Sequence, residues 1–275
     1  MLPPNFLDKG EIKMKVRISN YSNAEHPIIT IYKAYRLCYC SGEQSEIKLP
    51  TTEDGSIDYK AMSDFITNLM NKGHTTPLEH VSFTFEISGV SRALTHQLVR
   101  HRTGKFNQQS QRYVKLGQFE YVVPPKIGMN ADLKAKFIEA MEEDQKTYDY
   151  LVEGLITQSI KDNHPWVANP SDHEHFKSIA KKGTYTKYVK QAIEDARYVF
   201  PNACTSNITV TMDLNNFRKF YSLRNCSHAQ WEIKRLAHLM GTLVTDIIPF
   251  ALIGSMNCGK TCFDCANKNL LNMEG

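Results

Sequence analysis

No two of the fourteen glycines in this sequence stand one residue apart. The Gly-x-Gly core of the dinucleotide fingerprint is therefore missing, and with glycine so scattered we expect no phosphate loop either. A nucleotide bound here would have its phosphates met by side chains rather than by a glycine turn at a helix start. Long apolar runs are missing too. None approaches the roughly 20 residues that a membrane-spanning helix needs, so no membrane partner is expected. The opening residues, MLPPNFLDKGEIK, lack the basic-then-apolar order of a secretory signal, which points to a cytoplasmic protein. In that compartment the seven cysteines are expected as reduced thiols rather than disulfides. There is no His-Glu-x-x-His, no Gly-x-Ser-x-Gly and no kinase signature.

Charge is mild. Lys and Arg number 33 against 29 Asp and Glu, a net +4 that suits an anionic small molecule as well as it suits nucleic acid. An apolar share of 41% over 275 residues is enough for a sizeable core. One stretch departs from this average. Arg100–Tyr113, RHRTGKFNQQSQRY, has no acid at all. It holds Arg100, His101, Arg102, Lys105 and Arg112, interleaved with Asn107, Gln108, Gln109, Ser110 and Gln111. Arginine presents a planar fork of donors matched to phosphate and to planar acceptors, so several together suit an anionic ligand. Composition alone leaves a solvated basic loop or a nucleic-acid patch equally open.

Along the chain, Glu11–Ser19 alternates as a strand, and Ile28–Cys40 suits a buried helix or a strand. Ser56 or Asp58 is placed to cap a helix carrying Met62, Phe65, Ile66, Leu69 and Met70, with Gly73 as its stop. Val81, Phe83, Phe85 and Ile87 alternate with polar residues, and a helix capped by Ser91 then leads into the basic loop. Phe119–Val123 reads as a short strand ended by Pro124-Pro125. Ala131–Lys161 and Tyr185–Tyr198 read as helices, Ile208–Met212 as a strand, and Asp213 as the cap of a helix reaching Arg224. A long helix follows from about His228 to Ile248. Residues 162–183, rich in His, Pro, Asn and Lys, read as an exposed insertion. With no repeat and no linker, we expect a single domain over residues 1–275. Its class is α+β, with a mixed or antiparallel sheet flanked by helices and a long C-terminal helix.

Arg197, Arg224 and Arg218 stand towards helix ends, where a cation often serves only as a dipole partner. The tail at 255–275 holds Cys258-x3-Cys262-x2-Cys265, but a fourth ligand is not evident there. We expect a reduced, solvent-facing tail and no metal.

Four blocks in order resemble the flavin-dependent thymidylate synthases. The signature Arg-His-Arg, seven residues, then Ser appears as Arg100-His101-Arg102, TGKFNQQ, Ser110, followed by Arg112-Tyr113. Upstream stand His74-x-Thr76-Pro77-x-Glu79-His80 and VSFTF. Downstream stand Ala196-Arg197, Pro201, and Leu223-Arg224 with Ser227-His228-Ala229-Gln230-Trp231-Glu232. The resemblance spans most of Ile28–Ile248. It implies an enzyme that converts dUMP to dTMP without a cysteine nucleophile, using FAD, NADPH and 5,10-methylenetetrahydrofolate. It also implies a homotetramer with shared active sites. FAD would contact Thr76, Arg100, His101, Arg102, Gln108, Asp213, Leu214, Asn215 and Lys219. The nucleotide dUMP would contact Gln97, Leu98, Val99, Arg100, Gln108, Gln109, Ser110, Gln111, Arg112, Arg197 and Arg224. Arg224 would be the catalytic residue that ionises N3 of the uracil. Gln108 stands where the family often has Glu, and Asp213-Leu214-Asn215 where it often has Asn-x-Arg. A nucleic-acid module with the cysteine tail as a zinc knuckle is the competing reading. It would call for stronger positive charge and more aromatics beside the basic groups than Phe106 and Tyr113.

Overall fold

The clearest alternation in the sequence becomes a central strand. In the computed structural model, which describes residues 13–22, 25–110 and 119–255, β2 (Ser82–Ser91) buries Phe83, Phe85 and Ile87. Ser82, Thr84, Glu86 and Ser88 on its other face are part-exposed. β1 (Lys15–Tyr21) pairs antiparallel with β2, from Lys15 opposite Ser88 to Tyr21 opposite Phe83, with an irregularity between Ile18 and Asn20. β3 (Lys105–Gln108) and β4 (Thr205–Asp213) complete a four-stranded antiparallel sheet of order β1-β2-β4-β3. The hydroxyls of Thr84 and Thr211 meet across β2 and β4 at 2.9 Å, a cross-strand pair that helps fix the register.

The helices are α1 (Pro27–Leu37), α2 (Tyr59–Asn71), α3 (Arg92–Leu98), α4 (Pro125–Gly128), α5 (Ala131–Asn163), α6 (His173–Ile179), α7 (Thr184–Ala196), α8 (Leu214–Arg224) and α9 (Trp231–Ile247). The α+β class and the long C-terminal helix are both as expected. Among the described residues, no helix is long and apolar enough to cross a membrane.

These residues form two compact units that interleave in sequence. One is drawn from residues 91–93, 108–110 and 119–206, and the other from 14–22, 25–90, 94–107 and 207–255. The second unit holds most of the sheet. Its helices start where the sequence supplies caps. Asp58 accepts from the Ala61 amide at 2.8 Å to open α2, which buries Met62, Ile66, Leu69 and Met70. Gly73, at φ 87°, follows its end in the left-handed region that glycine adopts without strain. Pro27 at the first turn and His26 at the cap settle the segment from Ile28 as helical, though the helix ends at Leu37, short of the expected Cys40. α9 begins three residues later than expected because Gln230 takes the cap, its side chain accepting from the Glu232 and Ile233 amides.

In the first unit, Tyr148, Val152, Ile156 and Ile160 of α5 pack with Tyr188, Ala192, Ile193 and Ala196 of α7. Residues 162–183 are mostly exposed, as the sequence suggests, but they are anchored. Val167 and Phe176 join this core, and Phe176 on α6 has no exposed surface. Two expectations need correction. Phe119–Val123 is not a strand, since only Tyr121 bridges, to Cys204. The Phe119 amide donates instead to Gln145 Oε1 at 2.9 Å, and Pro124-Pro125 bring no amide hydrogens to extend a ladder. The helix expected to reach Tyr198 ends at Ala196 and tightens into a 3-10 turn, Arg197–Val199.

Candidate functional site

Within the second unit two blocks far apart in sequence each meet a third, at opposite ends of it. The first is the 3-10 helix Thr76–His80, opened by Pro77 near its start. The second is the end of α3 and the turn beyond it. The third is α8. The Leu214 amide donates to the Val81 carbonyl at 2.8 Å, and Asn215 Nδ2 donates to Glu79 Oε1 at 2.8 Å. The start of α8 is thereby fixed to the His74–His80 block. Asp213 caps α8 by accepting from the Asn216 amide at 2.9 Å, as its position predicts. Tyr35 on α1 donates its hydroxyl to the His74 carbonyl. Burial holds the phenol's pKa up at about 12, so it remains a donor throughout the physiological range.

Leu98 is fully buried and ties the end of α3 to the core. The chain then turns outward, with the His101 amide bonding the Leu98 carbonyl and the Gly104 amide bonding the His101 carbonyl. Arg100 and Arg102 are exposed and His101 is half-buried. From α8, Arg224 reaches this turn and donates its Nε–H to His101 Nε2 at 2.8 Å. The His101 ring stands edge-on to Phe220, with centroids 5.0 Å apart. Burial pulls the His101 pKa below 6.5, and the charge of Arg224 pulls it the same way. For Arg224, burial and then the neighbouring Arg100 disfavour the charged form. Two guanidiniums thus sit close enough to repel, and among the described residues neither forms an ion pair. In α3, three residues before Arg100, Gln97 keeps a buried side-chain carbonyl oxygen with no hydrogen-bond partner. Excess positive charge where the end of α8 meets the turn after α3 fits a ligand with anionic groups.

The remaining residues singled out from sequence fall differently. Val99 and Thr76 are exposed in the second unit. Leu98 and Leu214 have core side chains, which leaves only their backbones for a ligand. Asp213 and Asn215 are engaged within the fold, and Lys219 alone of residues 213–219 is exposed. In the first unit, Gln108 donates its Nε2 to Ser206 Oγ at 3.0 Å, Gln109 is exposed and Ser110 is half-exposed. Arg197 donates its Nε to the Glu194 carbonyl at 3.0 Å, with its guanidinium 5.9 Å from the Tyr198 ring. Gln111, Arg112, Tyr113, Cys258, Cys262 and Cys265 lie outside the described residues. Among the described residues no group of three or more His, Cys, Asp or Glu is placed to hold a metal ion.

Two sequence expectations are overturned. Arg218 does not serve a helix end. It lies within α8, 7% exposed, and donates to the Ala251 carbonyl at 2.6 Å, so it clips the turn after α9 to the core. Its spacing from Leu214 and Tyr221, four and three residues, puts it on the apolar face and was the signal for this. The chain does contain a phosphate-loop spacing, Gly254-SMNC-Gly259-Lys260-Thr261. That motif needs a strand before it, whereas Gly254 stands in the turn after α9, and a Gly-x-Gly search does not detect it.

Residues 19–250 match the family described as thymidylate synthase complementing protein. The chain is 38% identical over 260 residues to the flavin-dependent thymidylate synthase of Clostridium tetani, covering 90% of this chain and 94% of the relative. It is 38% identical over 233 residues to that of Nitratidesulfovibrio vulgaris, covering 85% and 84%. With that of Geobacter sulfurreducens the identity is 32% over 260 residues, covering 89% and 94%. The matched span contains the His74–His80 block, the Arg100–Arg102 turn and α8, and the chain belongs to the flavin-dependent thymidylate synthase family of enzymes.

Proposed function

We propose that this enzyme methylates dUMP to dTMP, with Arg224 as the residue that activates the uracil and no cysteine nucleophile. When bound, FAD reduced by NADPH supplies the hydride, and 5,10-methylenetetrahydrofolate supplies the carbon. Arg224 lies against N3 and its neighbouring carbonyl and stabilises the uracil anion. Electron density at C5 rises, and C5 attacks the one-carbon unit without prior addition of a thiol. The C5 proton and the carbon–nitrogen bond to folate are lost, the hydride completes the methyl group, and N3 regains its proton. Gln97, Leu98, Val99, Arg100, the stretch Gln108–Arg112 and Arg197 bind and orient dUMP. Thr76, Arg100, His101, Arg102 and Gln108 hold FAD, joined by Lys219 and the backbone of Asp213, Leu214 and Asn215. The enzyme works in the cytoplasm as a homotetramer with shared active sites, and its two interleaved units act as one functional domain.

The observation that carries this reading is the Arg100–His101–Arg224 cluster, where among the described residues no ion pair offsets the two guanidiniums. The purified protein is expected to show a flavin spectrum that NADPH bleaches, and to form dTMP from dUMP. Protein that takes up no flavin on incubation with FAD would contradict the proposal. Ser110 serves as a hydrogen-bonding hydroxyl. Ser110→Ala is expected to weaken dUMP binding about 5- to 10-fold, the worth of one hydrogen bond to a charged or polar ligand, with turnover still detectable. Complete loss of chemistry in that variant would make Ser110 a nucleophile instead.

A further inference from the structure

Building on the proposed role of Arg224, we infer that His101 is a positioning residue that aims the Arg224 guanidinium at the nucleotide. Arg224 has one Nε–H and four Nη–H donors in a single plane. His101 Nε2 accepts the Nε–H at 2.8 Å, and among the described residues no other hydrogen bond of the Arg224 side chain is present. That single contact fixes the plane of the fork and leaves both Nη groups to face a planar acceptor together. Phe220, edge-on to the imidazole, fixes the ring in turn. A long arginine at a helix end otherwise has many rotamers, and ordering it only on binding would weaken affinity.

The acceptor role requires a neutral imidazole with its proton on Nδ1. Burial and the Arg224 charge both favour that form. Among the described residues, the charged group that acts on His101 is Arg224 from α8, and Arg100 beside Arg224 adds positive charge to the same turn. Protonating His101 would therefore remove the acceptor and place a third cation in the cluster. The lowered pKa confines this event to pH values below 6.5. Above that range His101 is neutral and Arg224 stays aimed; as pH falls through the lowered value the aim is lost.

The test is dUMP titration of the FAD-loaded enzyme by calorimetry, with flavin occupancy measured for each variant. His101→Leu is expected to weaken dUMP binding about 10-fold, as for a lost hydrogen bond to a charged group. His101→Gln offers a neutral carbonyl to the same Nε–H, and is expected to recover affinity to within about 2-fold of wild type near neutral pH. Because Leu acts only through Arg224, His101→Leu/Arg224→Ala is expected to bind no more weakly than Arg224→Ala alone. Below pH 6.5 the wild type is expected to lose affinity faster than His101→Gln, which shares any titration of the substrate phosphate but has no imidazole. Two results would overturn the inference: a His101→Leu variant with full flavin occupancy that binds dUMP like wild type, or full additivity in the double variant. If Arg224→Ala alone leaves dUMP affinity unchanged, the parent assignment of Arg224 falls and this inference falls with it.

Discussion

Arg224→Ala is expected to lower dTMP formation by at least roughly 100-fold while NADPH still bleaches the flavin, a separation that follows from what the side chain does. Uracil is a poor nucleophile at C5 until charge is pushed into the ring, and in the proposed mechanism the Arg224 guanidinium stabilises that charge. Its neighbours make removal costly. Arg100 repels Arg224, and burial disfavours its charge, so the interaction energy is held ready for an anion rather than spent within the fold. Reduction of the flavin needs no uracil anion and proceeds without the side chain. Stopped-flow bleaching and a dTMP assay on the same preparation check both halves. Methylation at the wild-type rate would remove Arg224 from its assigned role.

Phe176→Ala is expected to destabilise the first unit by about 3–5 kcal/mol, the range for truncating a buried aromatic ring. Phe176 has no exposed surface, and it packs against His164 at 4.9 Å and Tyr188 at 6.2 Å between centroids. The neighbours are held in turn, with His164 Nε2 and the Tyr188 hydroxyl 3.1 Å apart, so the cavity has little freedom to collapse. Urea denaturation followed by far-UV dichroism measures the effect. A loss below about 1 kcal/mol, the level of ordinary surface changes and below that of core truncations, would mean that residues 162–183 are only loosely attached.

The two cases differ in how far they are visible from sequence. Local rules carried much of the fold: the alternation of Val81–Ile87 became β2, Asp58 and Asp213 became caps, and the spacing of Met62, Ile66 and Leu69 became the inner face of α2. Phe176 escaped because one aromatic in a polar segment has no period to mark it, and its burial is decided by α5 and α7. The arginines at 100, 102, 197 and 224 could be named from motifs. The contacts that organise them could not, since Arg224 and His101 are 123 residues apart and Asn215 and Glu79 are 136 apart. Asn215 illustrates the difference. The resemblance makes its block a flavin contact, yet its side-chain amide is directed to Glu79 within the unit. Arg218 is a similar case, where a charge reads as exposed until the turn carrying Ala251 is seen to cover it.

The central claim is that the flavin supplies the hydride that completes the methyl group. The most direct measurement is a single turnover in D2O, with flavin reduced before dUMP and unlabelled 5,10-methylenetetrahydrofolate are added. The exchangeable hydrogen on the reduced flavin is then deuterium, and the account predicts one deuterium in the methyl group of dTMP by mass spectrometry. A methyl group free of deuterium would place the hydride source on the folate and contradict the account.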